Sequence, residues 1–173
     1  MPELNRVEVW LNKALELEYR GRDYYEKAAG KAKDSLVADF FKNMAEQETV
    51  HAGIIKKIYD KAGQGDACWL AAGAEEPGGQ TLNRMFLDLS KHSPKAGEDI
   101  LQAIEDGLKF ETEAMDFYKK AIPEASCQAE KNFLTRLAGE ENEHRQMLAD
   151  MKLYYTDPEA WAEKMDNMHL DGV

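Results

Sequence analysis

Cysteine is nearly absent: Cys68 and Cys127 are the whole complement of the 173-residue chain, and they form no Cys-x-x-Cys pair. That excludes a disulfide framework, a thiolate-only zinc site and a rubredoxin-type iron site, so any metal must be held by carboxylates and imidazoles. Positive charge is scarce too. Lys and Arg number 22 against 33 Asp and Glu, a formal charge of −11, whereas nucleic acids and anionic membranes reward basic patches. Neither is an expected partner. No apolar run approaches the ~18 residues needed to span a bilayer. MPELNRVEVW has neither the basic n-region nor the h-region of a signal peptide, so the expected location is cytoplasmic.

What is present is enough to build one domain with a sizeable core: 43% of residues are apolar and 32% are charged. The scarcity of Pro and Gly leaves long helix-forming stretches, and the expected class is all-α. Two helical hairpins are predicted over about 4–60 and 98–154. Gly30 is expected just past the first helix, with Asp34 capping the second. Pro123 should end the third, and Ser126 should cap the fourth. Residues 61–97 read as a long crossover with a short helix near Met85–Leu89, and 155–173 as a tail. In that tail, Asp157 followed by Pro158 predicts a last short helix carrying Trp161.

An internal repeat is the most informative feature. Adding 93 carries Glu18 to Glu111, Tyr25 to Tyr118, Phe40 to Phe133, Glu48 to Glu141 and His51 to His144 without a gap. The hairpins therefore read as two copies of one unit related by a pseudo-two-fold axis. Stepping by four and three along the first copy gives core stripes through Leu11, Ala14, Glu18, Gly21 and Tyr25, then Phe41, Met44, Glu48, His51 and Ile55. The second copy gives Ile104, Gly107, Glu111, Ala114 and Tyr118, then Leu134, Leu137, Glu141, His144 and Leu148.

Four glutamates and two histidines thus fall in the seams of the bundle. An unpaired carboxylate in an apolar interior costs many kcal/mol, and no lysine or arginine occupies these central positions. Two divalent ions would balance the four carboxylates. Glu48 with His51, and Glu141 with His144, are spaced i and i+3, which puts carboxylate and imidazole on one helix face. The candidate metal ligands are Glu18, Glu48, His51, Glu111, Glu141 and His144. Tyr25 and Tyr118 are candidate residues acting through those ligands, because antiparallel helices would let Tyr25 reach Glu111 and Tyr118 reach Glu18. Glu16, Glu46, Glu113, Glu140 and Glu143 fall off the stripes and are expected in solvent. His92 and His169 lack the spacing and read as surface residues, and Cys68 beside Trp69 as a packed residue of the crossover.

ALELEYRGRDYYEKAA, MAEQETVHAGII, GLKFETEAMDFYKKA and LAGEENEHRQML together resemble the four helices of a rubrerythrin-type domain, within the ferritin-like di-iron carboxylate superfamily. The resemblance implies a ferritin-like four-helix bundle of two repeated hairpins, with a short C-terminal helix and without a rubredoxin domain. It implies Glu18 with His51 and Glu111 with His144 as terminal ligands, and Glu48 and Glu141 as bridges. The cofactor would be two iron ions per chain, with manganese or zinc as substitutes. The partners would be hydrogen peroxide or dioxygen and an external electron donor of rubredoxin type, and the assembly a homodimer. Rubrerythrins tend to carry a further glutamate three residues after the third-helix ligand; here that residue is Ala114. Two other activities share this ligand set: ferroxidase or iron storage without turnover, and di-iron oxygenation of an organic substrate.

Overall fold

The computed structural model describes residues 3–62 and 97–170, all of whose regular structure is helical. Helix α1 runs Glu3–Lys31, α2 Ser35–Ala62, α3 Glu98–Ala121, α4 Gln128–Thr156 and α5 Pro158–Leu170. α1 lies along α2 and α3 along α4, the first helices of the two hairpins touch across the bundle, and α5 folds back on α4. Residues 63–96 of the predicted crossover, with Cys68, Trp69 and His92, lie outside the described residues, and its first two residues belong to α2.

Local chemistry sets most of the helix ends. Asp34 Oδ1 accepts from the backbone N–H groups of Leu36 at 2.8 Å and Val37 at 3.2 Å, satisfying two donors that open α2. Asp157 does the same for α5, accepting from Ala160 at 3.0 Å with Pro158 in the first helical position. Two expectations need correction. Gly30 lies inside α1, which continues to Lys31. Ser126 does not cap α4: Cys127 takes that position without a side-chain bond. The hydroxyl and amide of Ser126 are instead both held by Glu130 Oε2 at 2.7 Å, which satisfies the chain entering the helix from the opposite direction.

The core is in two apolar clusters. One gathers Tyr25, Phe40, Phe41, Met44, Ile104, Leu148 and Met151, with Trp161 of α5 packed against it. The other gathers Leu11, Ala14, Ile55, Ile58, Tyr118, Leu134 and Leu137, with Trp10 against it. Full burial of each large aliphatic or aromatic side chain contributes about 1.5–3 kcal/mol, so both clusters are strongly stabilising. All six candidate ligands are buried as well, none more than 3% exposed. They belong to neither cluster.

Candidate metal centre

Helical periodicity brings these six side chains together. Glu18 sits on α1, Glu48 and His51 one turn apart on α2, Glu111 on α3, and Glu141 and His144 one turn apart on α4. One ligand atom each from Glu18, Glu48, His51 and Glu141 lies within 4.8 Å of the others, and the same holds for Glu48, Glu111, Glu141 and His144. Glu48 and Glu141 belong to both groups. Two overlapping sets of three carboxylates and one imidazole therefore share two of their members.

The pseudo-two-fold is visible in the contacts. The Tyr25 hydroxyl donates to Glu111, and the Tyr118 hydroxyl to Glu18, each bond becoming the other when the two copies of the repeat are exchanged. The imidazoles of His51 and His144, themselves 93 apart, face each other with centroids 5.8 Å apart and planes 16° from parallel. Arg20 and Glu113, another equivalent pair, meet in a two-pronged contact at 3.4 Å on the outer face. A contact between equivalent residues must lie on the axis, so the His51–His144 and Arg20–Glu113 contacts trace it through the centre, and the two tyrosine bonds are exchanged across it.

Close approach requires glycine at one wall. An ideal Cβ on Gly21 would lie 2.6 Å from the Phe110 ring and 3.0 Å from the carboxyl carbon of Glu48. A side chain there would press a ligand carboxylate out of place. Its repeat equivalent, Ala114, is buried and has room for its methyl group.

Electrostatics set these residues apart from the rest of the core. Burial, then the neighbouring carboxylates, pushes Glu48 well above the ordinary carboxylate range. Burial raises Glu111 to about 8 even against the opposing pull of His144. Burial resists ionisation of Glu141 as well, but the close approach of the His144 and His51 imidazoles outweighs it and holds that carboxyl below its usual value. For both imidazoles burial favours the neutral ring, yet the surrounding carboxylates win and raise them well above normal. Burial and adjacent carboxylates likewise push Tyr25 and Tyr118 up, so both phenols keep their protons and act as donors. Burial and mutual repulsion thus favour neutralising this centre, by protons or by cations.

The donor set fits cations. Glu48 Oε1, Glu111 Oε2, both carboxylate oxygens of Glu141 and Nδ1 of His144 are buried without a partner in hydrogen-bonding geometry among the described residues. Leaving so many polar atoms unsatisfied in one place costs several kcal/mol, whereas the same atoms are good ligands for a hard or borderline dication. All six expected ligands are brought into this site. Glu16, Glu46, Glu113 and Glu143 face solvent as expected.

Glu140 corrects the sequence reading: its Oε2 lies 2.8 Å from Nε2 of His51, and its side chain is only 19% exposed. A position one residue off the stripe still reaches the seam because glutamate is long enough to bend around the helix flank. Gln47 was also missed; its Oε1 lies 3.2 Å from Nε2 of His144. The signal was available in the repeat, since Gln47 and Glu140 are 93 residues apart and each precedes a ligand glutamate.

A family model described as Rubrerythrin matches residues 10–152, which take in α2, α3, most of α1 and α4, and all six candidate ligands. The chain belongs to the rubrerythrin family. Neither the curated proteins nor the solved structures offer a match. Family membership and the paired clusters agree on a di-metal site in a ferritin-like helical bundle. Among the described residues no helix is long and apolar enough to cross a membrane.

Proposed function

We propose that the protein is a cytoplasmic di-iron oxidoreductase that reduces hydrogen peroxide or dioxygen with electrons from an external donor such as a rubredoxin-type protein. The observation that supports this reading is the pair of buried ligand groups sharing Glu48 and Glu141. Glu18 and His51 would complete one metal position, Glu111 and His144 the other. Iron held by these six residues would supply the two-electron reduction of the oxidant, with the external donor restoring the electrons. Hard carboxylate oxygens suit the oxidised state, and imidazole binds iron in both states.

The chain's own groups do the rest. Tyr25 and Tyr118 hold the Glu111 and Glu18 carboxylates by a donated hydrogen bond, which occupies one oxygen of each and would leave the other for a metal. The apolar clusters on either side keep bulk water from the ends of the site. Mixing iron(II)-loaded protein with peroxide in a stopped-flow instrument is expected to show rapid oxidation of two irons per chain. Oxidation no faster than that of free iron(II) would reject the proposal.

A second reading, iron uptake and oxidation without turnover, is favoured by Ala114, a buried methyl group where rubrerythrins tend to carry a further glutamate. Iron accumulation beyond two per chain, with no sustained consumption of peroxide, would select it.

A further inference from the structure

The two ligand groups match in composition, three glutamates and one histidine each, and in the tyrosine bonded to each terminal carboxylate. They differ in what stands behind the imidazoles. His51 turns Nδ1 inward, 3.2 Å from Glu18 Oε2 and 3.2 Å from Glu141 Oε1. Its Nε2 points outward to the Glu140 carboxylate. His144 turns Nδ1 inward, 3.4 Å from Glu48 Oε1 and 3.6 Å from Glu141 Oε2, and its Nε2 meets the neutral amide of Gln47. The repeat therefore breaks its symmetry at the atom that tunes each histidine.

Resting on the di-metal reading above, we propose that Glu140 and Gln47 make the two metal positions unequal, with the His51 position the tighter and the first to fill. A carboxylate accepting the Nε2 proton draws that proton toward itself and raises the electron density at Nδ1, the atom that binds metal. A neutral amide does so less. The two distances agree, 2.8 Å against 3.2 Å, as expected when only one acceptor carries charge. Arg136 Nε lies 3.6 Å from Glu140 Oε1; it holds the carboxylate in place and offsets part of its charge without removing the contrast with an amide. Such outer partners of a ligating histidine change metal affinity by about 10–100-fold, and ligand count offers no competing difference. Glu140 and Gln47 are positioning residues, since they act through the histidines.

The test is calorimetric titration of the metal-stripped full chain with cobalt(II), combined with anomalous diffraction from crystals grown with one equivalent. The wild-type chain is expected to bind in two steps separated by about 10–100-fold, the first ion lying beside His51. Glu140→Gln should bring the steps to within about threefold by weakening the tighter one, and Gln47→Glu should do so by strengthening the weaker one. The double exchange should place the first ion beside His144. A merely structural role for Glu140 would weaken both steps together and leave the filling order alone. Two equal steps in the wild-type chain, or an unchanged order in the double exchange, would overturn the inference while leaving two bound ions intact. Cobalt failing to bind at all would instead overturn the di-metal reading beneath it. Should Glu140→Gln fail to fold, Gln47→Glu decides alone, and an unaltered separation counts against the proposal.

Discussion

The middle of the bundle and the apolar layers on either side of it are equally sealed from water. Phe40, Phe41 and Leu11 have no exposed surface, and neither do Glu111 and Glu141. Chemically the layers are opposites. The outer ones stabilise the helices chiefly by burial, each reaching the centre through one tyrosine, while the middle one holds carboxylates that the interior tolerates only when protons or cations neutralise them. Fold and metal chemistry therefore occupy different layers of one core, and each can be perturbed with limited damage to the other.

The largest effect is expected from Glu48→Gln combined with Glu141→Gln, which removes both shared carboxylates and keeps their shape. Metal affinity should fall by more than about 100-fold, the upper end of what even indirect partners contribute. The metal-free fold should keep its stability or gain about 1–4 kcal/mol, because a buried charge cluster is a poor stabiliser. Equilibrium dialysis with metal analysis checks the first outcome and urea denaturation the second; two ions still bound would break the comparison. Phe41→Ala works from the other side. It should cost about 3–5 kcal/mol, with two cobalt ions still bound at saturation.

Acidity sharpens the contrast. Glu48, Glu111, His51 and His144 are all raised, so they bind protons more tightly folded than unfolded. The stability this confers is complete below the ordinary values, 4.5 for the glutamates and 6.5 for the histidines, and is lost as pH rises through the folded ones, about 8 for Glu111. Glu141, held low, loses its contribution only as pH falls below the ordinary 4.5. Between pH 6 and 8 the Tm of the metal-free protein should therefore drop. Metal must displace the same protons, so binding should tighten and the Tm gain on loading should widen over this interval. A gain independent of pH would show that the centre carries no such protons. The smallest effect concerns Gly21→Ala. A helical Gly→Ala change ordinarily gains about 0.5–1 kcal/mol, but the contacts with Phe110 and Glu48 should turn this into a loss of about 1–3 kcal/mol by thermal denaturation.

The architecture was legible in the sequence because helical spacing and the 93-residue repeat act on the same positions. Each ligand lies where a seam must pass, and the ExxH spacing adds a chemical reason for the residue types. Glu140 escaped because a stripe locates backbone positions and says nothing of how far a flexible side chain bends into a neighbouring seam. Gln47 escaped because an amide carries no charge to demand explanation. Ser126 was misplaced by one residue, the usual margin at a helix end, and its interaction with Glu130 needed the folded geometry to be seen.

Each apolar layer also has its own indole. Trp10 rests against one cluster, stacked on Phe117 at 5.8 Å, and Trp161 meets Tyr154 edge-on at 5.1 Å beside the other. In two variants that each keep one of these indoles, with Trp69 and the other indole replaced by phenylalanine, fluorescence reports separately on opposite ends of the molecule. An end that frays before the other announces itself by the emission of its own tryptophan, and a bundle that opens as one cooperative unit yields two superimposable curves.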